Sequence, residues 1–328
     1  MKNGSLVLSL DFELIWGVFD GIPSNFSTSY FSNTREVIPE MLNLFEGHKI
    51  HATWATVGML FNRNWEDWFQ NKPTLLPQYV NKKLSAYEFA AKDLKKLPET
   101  IFFAPSLIKL IGSTTGQEVA SHTYSHYYCL EKGQRLEEFE ADLKMALRLA
   151  KSFNIDLKSL IFPRNQMNSN YLEICWNLGI ENVRSNPEDW YWKDPTSNSF
   201  HVKIARSGDA YFNFGKKSYS GNNLKLIAGL PLEQPASRFL RPVEGQKILR
   251  QLKLKRIKEE MTYAARKNEV YHLWWHPHNF GDLPEQSLND LKELVNHFEN
   301  LQKEFDFQSW NMAELGKKIQ IENRKIQS

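Results

Sequence analysis

Cysteine is scarce in this chain: its 328 residues include two, Cys129 and Cys175, far apart and without metal-type spacing. Two such thiols cannot build a disulfide framework. Although one bond between them is allowed on paper, a reduced, intracellular chain is expected. Neither sign of charge is in surplus. The net charge is +3, with acids and bases interspersed, which excludes the concentrated basic footprint of a nucleic-acid binder. Long apolar runs are missing too, and none approaches the length of a membrane span. The N-terminus leads from Met1-Lys2-Asn3-Gly4 into Ser5–Asp11, an apolar stretch too short for a signal-peptide core. That stretch is interrupted by Ser9 and ends in a carboxylate rather than a small-residue cleavage site, so a cytoplasmic protein is expected. Internal repeats and low-complexity segments are absent as well.

What is abundant is aromatic: 13% of residues, ten of them Trp. Such a surplus can line a carbohydrate site, but its first use is to fill a large core. The length allows one α/β barrel or two smaller domains. Strands are expected at 5–11, 50–57, 117–120, 160–162, 180–184 and 270–275. Helices are expected from Thr34 to Gly47, with Thr34 as cap and Gly47 as left-handed terminator, and at 106–111, 135–153, 168–178, 242–267 and 284–302. A last strand–helix pair is expected near Phe307–Ile319. Between 60 and 104, Trp and Pro break the pattern and suggest an insertion at the rim. Residues 186–242 read as irregular loops and short hairpins. The alternation of strand and helix implies parallel strands covered by helices.

Several chemically able residues fall just past the ends of expected strands, where parallel barrels carry their chemistry. Asp11 and Glu13, two apart on a strand, share a face. His122 and His126, four apart, fall on one face of a helical turn. A carboxylate, two imidazoles and a second carboxylate free to act as base make up the minimum kit for metal-assisted hydrolysis. Two carboxylates directly after a buried strand repel each other unless a cation sits between them. A zincin is excluded, because Thr123 stands where His-Glu-x-x-His needs its Glu. The basic residues at 247–258 alternate with apolar ones, as on the solvated face of a packed helix.

These motifs, in this order, resemble the polysaccharide deacetylase family of carbohydrate esterases. The counterparts are Asp11-Phe12-Glu13, His122-Thr123-Tyr124-Ser125-His126, Phe162-Pro163-Arg164-Asn165 and Leu273-Trp274-Trp275-His276. Ala52–Gly58 and Gly116–Ser121 support them, and the likeness covers roughly residues 5–185 and 268–280. The resemblance implies a distorted (β/α)7 barrel of the polysaccharide deacetylase type, one domain over 1–328, and one divalent metal, most often Zn2+. It implies hydrolysis of an N-acetyl group from an amino sugar. Asp11 is then the base, Glu13, His122 and His126 hold the metal, Arg164 pairs with Asp11, and His276, rather than His278, is the acid.

The chain departs from the family pattern in two motifs. Its first motif is of an Asp-x-Glu kind, which leaves open which carboxylate is base and which is ligand. Its Arg motif lacks the usual Arg-Pro order and the Gly that follows. Asn186-Pro187-Glu188-Asp189-Trp190 is faintly similar to the family's Asp-Trp motif, which puts Trp190, with His278, in the substrate pocket. The expected substrate is a surface-glycan or lipopolysaccharide precursor, nucleotide- or lipid-linked. The rivals are a non-catalytic sugar-binding barrel and a metal hydrolase acting on O-acetyl or N-formyl groups.

Overall fold

The computed structural model describes residues 2–22, 27–92, 94, 97–187, 189–192, 199–209, 211, 215–243 and 246–327. Glu188 of the 186–190 segment lies outside them. Among the described residues, nine strands form one sheet in which every ladder is parallel. They are β1 Ser5–Phe12, β2 Ala52–Thr56, β3 Gln117–Ser121, β4 Ser159–Ile161, β5 Asn182–Ser185, β6 Leu232–Pro235, β7 Arg238–Phe239, β8 Val270–Trp275 and β9 Gln308–Trp310. The order is β6-β5-β4-β3-β2-β1-β8-β7, with β9 also on β1.

β1 is central, and all eight of its residues are buried, as expected of a parallel strand covered on both faces. One edge of β1 pairs with β9 over Ser5–Val7 and then with β2 over Leu8–Phe12, while β8 runs along the other edge. The ends of the sheet are joined by the chain itself. The Ala236 amide donates to the Ser185 carbonyl at 2.9 Å and the Ser237 amide to that of His272 at 2.8 Å, so β6 and β7 act as one stave bridging β5 and β8. With β9 in line with β2, seven staves curl into the distorted (β/α)7 barrel that the resemblance implied.

Long helices cover the strands: Ser29–Gly47, Leu136–Ser152, Lys247–Lys267 and Pro284–Phe305. The first starts earlier than its sequence suggests. Thr34 is a buried residue inside it, its hydroxyl donating to the Tyr30 carbonyl at 2.8 Å rather than capping. Gly47 is its last residue, and the left-handed turn falls on Lys49 (φ 52°). Residues 186–242 hold a helix, Phe200–Gly208, and the β6–β7 stave. β6 escapes a pattern search because its Leu-Glu-Gln-Pro has no apolar alternation. Gln234 is buried there instead, donating its amide to Asn182 Oδ1 at 3.0 Å and to the Met312 carbonyl at 2.8 Å.

The 60–104 segment packs on the barrel through aromatic rings. Trp16, fully buried just after β1, meets Trp65, Phe89 and Phe102 edge-on, and its indole N–H donates to the Phe102 carbonyl at 2.7 Å. Truncating it opens a large cavity and orphans that carbonyl. Trp16→Ala is expected to lower unfolding free energy by about 3–5 kcal/mol in urea titrations. A loss below about 1 kcal/mol would show that this aromatic cluster does not anchor the segment.

Candidate active site

Strand ends bring the site together. β1 delivers Asp11 and, one residue past its end, Glu13. β3 delivers His122, and β8 leads to His276 and His278. Asp11 and Glu13 are buried, as are His122, His126 and His278; His276 keeps about a quarter of its side chain exposed. Oε1 of Glu13 lies 3.0 Å from His122 Nε2 and 3.2 Å from His126 Nε2. His276 Nε2 stands 3.8 Å from both Asp11 Oδ2 and Glu13 Oε1, and His278 Nδ1 lies 3.7 Å from Glu13 Oε2. The His276 and His278 rings stack at 4.9 Å, with Phe239 and Trp274 edge-on to His276.

Two glycines permit the close approaches. A Cβ on Gly17 would sit 1.8 Å from Glu13 Oε2, so only glycine leaves that carboxylate its place. A Cβ on Gly58 would press on the Tyr124 backbone at 2.8 Å, where the Gly58 amide donates to the Thr123 carbonyl. The His122–His126 segment is not helical. Thr123 (φ 61°) and His126 (φ 57°) are left-handed, and this loop, rather than a helical turn, brings the two rings to 5.1 Å. Asp142 holds the loop from the Leu136–Ser152 helix. Its carboxylate accepts from the Tyr124 amide at 2.6 Å, the Ser125 amide at 3.1 Å and the Ser125 hydroxyl at 2.5 Å.

The donor set fits a divalent cation. His122 Nδ1 lies 2.8 Å from the Ile161 carbonyl, which can only accept, so that nitrogen carries the ring proton. The other nitrogen, Nε2, faces the Glu13 carboxylate beside that of His126, where a divalent cation fits between the three groups. One ligand atom each from Glu13, His122 and His126 lies within 4.8 Å of the others, the set of a three-ligand site with open positions. Burial alone pushes the Glu13 carboxyl up, but His276, His122 and His126 together hold it well below the usual range. Burial pushes His126 below its ordinary value against the pull of Glu13, which favours its neutral, ligating form.

Asp11 is gripped by Arg184, not by Arg164. Arg184, buried at the end of β5, sends Nη1 to Asp11 Oδ1 at 2.8 Å and Nη2 to Oδ2 at 2.7 Å. The same guanidinium donates to Ser9 Oγ at 3.0 Å and Asn165 Oδ1 at 2.8 Å, and lies 4.2 Å from the Trp274 ring centroid. Arg164, left-handed at φ 54°, turns outward to Asp20 at 2.5 Å and lies over the Tyr128 ring. Trp190 is 61% exposed, edge-on to Tyr191, and does not line the carboxylate cluster. The sequence offers Arg184 only as the cation that closes the expected 180–184 strand, a run that Glu181 and Asn182 leave mixed. Asp142 and Gly17 carry no such signal.

Behind Asp11, His272 is fully buried with Nε2 2.9 Å from Ser9 Oγ. Burial, aided by the Arg184 guanidinium, pushes it down from 6.5 to about 3. The folded protein therefore binds one proton fewer at this ring than the unfolded chain between those values. Its contribution to stability is complete above pH 6.5 and is lost as pH falls. The difference in unfolding free energy between wild type and His272→Gln is expected to fall by about 1.4 kcal/mol per pH unit below pH 6. Urea titrations at matched ionic strength check this; parallel pH profiles would show that the ring is not held neutral.

The sequence model of the family described as polysaccharide deacetylase matches residues 11–183, just over half of the chain. No curated protein matches it. Among solved structures, the chain is similar to a protein from Mycobacterium smegmatis assigned as a polysaccharide deacetylase (11% identity, TM-score 0.62, 98% of this chain and 92% of that one). It is also similar to one of the same assignment from Pseudomonas aeruginosa PAO1 (10%, 0.55, 95% and 89%). A third is Puue allantoinase (10%, 0.51, 95% and 88%). At these identities the likeness speaks for the fold alone.

Proposed function

The chain belongs to the polysaccharide deacetylase family, a class of hydrolases acting on non-peptide carbon–nitrogen bonds, and on that premise we propose a metal-dependent sugar N-deacetylase centred on Asp11, Glu13, His122, His126, Arg184 and His276. The observation that carries the reading is the convergence of one Glu13 oxygen with Nε2 of His122 and of His126, at 3.0 and 3.2 Å. Glu13, His122 and His126 would hold the divalent ion, with Zn2+ the best match to one carboxylate and two imidazoles. When bound, that ion supplies Lewis-acid polarisation of the acyl oxygen and acidifies water.

The remaining chemistry belongs to the side chains. Asp11 accepts a proton from the attacking water, through the carboxylate lone pairs that Arg184 leaves free. The two-pronged grip of Arg184, itself fixed by Ser9 and Asn165, sets the direction of that carboxylate. As the water oxygen bonds to the acyl carbon, the carbon–nitrogen bond breaks and His276 gives its proton to the departing amine. Its partial exposure and 3.8 Å separation from Asp11 suit a group that meets substrate from the open side. Phe239, half-buried beside His276, offers a face on which a sugar ring can lie, while Trp274 is buried with the Arg184 guanidinium over its ring. The substrate we favour is an N-acetylated amino sugar in a surface-glycan or lipopolysaccharide precursor, carried on a nucleotide or a lipid.

Release of acetate, measured on a panel of N-acetyl, O-acetyl and N-formyl sugars, tests this reading. N-acetyl substrates are expected to turn over, with kcat lowered about 10²–10⁴-fold in Asp11→Asn and in His276→Ala. Arg184→Ala is expected to fall in the same way, whereas Arg164→Ala stays close to wild type. Turnover confined to O-acetyl or N-formyl groups would reassign the reaction. Equal losses in the two arginine variants would refute the assignment of Arg184.

A further inference from the structure

A cavity of about 40 Å³ adjoins the site through two residues already met there. Phe239 lines it and stands edge-on to His276 at 5.6 Å, and Asn165 lines it while holding Arg184. Its space suits about three waters or one small charged group. The charged side chains lining it, among the described residues, are Arg206, Asp209, Arg238 and Arg241. Arg238 and Asp209 belong to a buried network that balances itself. Arg238 sends Nε and Nη2 to Glu260 at 2.6 and 2.7 Å and stands 3.4 Å from Asp209 Oδ2. Lys217 lies 2.7 Å from Asp189 and 3.1 Å from Asp209, and Arg256 lies 2.9 Å from Glu260, so each cation of this network meets a carboxylate. Arg206 lies over the Trp192 ring at 4.8 Å and donates to the Tyr191 carbonyl.

Arg241 is the cation this network leaves over. It is half-buried, its Nη2 donates to the Arg206 carbonyl at 2.7 Å, and no carboxylate meets it among the described residues. Two neutral donors share its position. Asn165 has given Oδ1 to Arg184 and its carbonyl to Asn186, which leaves its amide protons without an acceptor among the described residues. Ser237, buried, accepts the His272 amide on Oγ at 2.9 Å, which leaves its own hydroxyl proton in the same state. A guanidinium and two donors around one small cavity call for an anion with several acceptor oxygens. A tetrahedral phosphate turns three oxygens toward separate donors, whereas a planar carboxylate has two. We infer that the cavity receives a phosphate group carried by the amino sugar, with Arg241 as its charge partner and Asn165 and Ser237 as neutral donors. A phosphate on the carbon next to the acetamido group lets one sugar ring, lying on Phe239, reach both places. That placement of the sugar rests on the deacetylase reading.

Calorimetric titration of the full chain tests it, with N-acetylglucosamine 1-phosphate and N-acetylgalactosamine 1-phosphate, their neutral parent sugars, and glucuronate beside glucose. At least one phosphorylated sugar is expected to bind about tenfold tighter than its parent. The advantage is expected to vanish in Arg241→Gln, to survive in part in Arg241→Lys, and to stay whole in Lys255→Gln, which removes an exposed cation elsewhere. Circular dichroism checks that each variant is folded. Equal affinities for phosphorylated and neutral sugars would overturn the inference, as would an advantage unchanged in folded Arg241→Gln. An equal advantage of glucuronate over glucose would give the cavity to a carboxylate and overturn it too. Binding is read apart from turnover. A phosphate advantage that depends on Arg241, without acetate release from any N-acetyl sugar, would refute the deacetylase reading and leave the phosphate site standing.

Discussion

A buried carboxylate facing two buried imidazole nitrogens is the constraint on which the rest of the site depends. Glu13 offers an oxygen to two imidazole nitrogens, and His122 is oriented by the hydrogen bond from its Nδ1 to the Ile161 carbonyl. Buried together, these groups need a proton or a metal ion held between them. The surroundings preserve the geometry rather than relieve it. Gly17 leaves room for the carboxylate, Gly58 and Asp142 pin the loop that carries both imidazoles, and Arg184 takes the second carboxylate out of competition.

The barrel makes this economical. Parallel strands all end on one face, so a residue just past each end reaches a common centre. β1 contributes the carboxylates because it is the innermost strand, flanked by β8 along one edge and by β9 and β2 along the other. β5 contributes Arg184 from the opposite side, across the interior of the curl. The β6–β7 stave closes the ring next to β8 and places Phe239 against His276. Backbone strain gathers at the same ends. Leu14, Thr123, His126, Arg164 and Asn165 all have positive φ, in the turns that aim side chains inward or away.

Much of this was legible in the sequence, for identifiable reasons. Asp11, Glu13, His122, His126 and His276 announce themselves as polar residues directly after buried apolar runs, and the parallel alternation of elements fixes that they converge. Arg164 misled because the order of motifs says which strand end a residue follows, not which way a left-handed turn points it. Arg184 was hidden because Glu181 and Asn182 break the apolar run that it closes. β6 was hidden because one of its two buried residues is a glutamine satisfied by side-chain and backbone partners, which no apolar pattern reveals. The start of the Ser29–Gly47 helix was misplaced because a threonine inside a helix and one at its cap look alike in sequence.

The most direct test of the central claim is the metal content of the purified protein, read by elemental analysis before and after dialysis against excess zinc. The account predicts about one equivalent of a divalent ion in the wild type, and its loss in His122→Ala/His126→Ala and in Glu13→Gln. A wild-type protein that remains metal-free after zinc loading would contradict it.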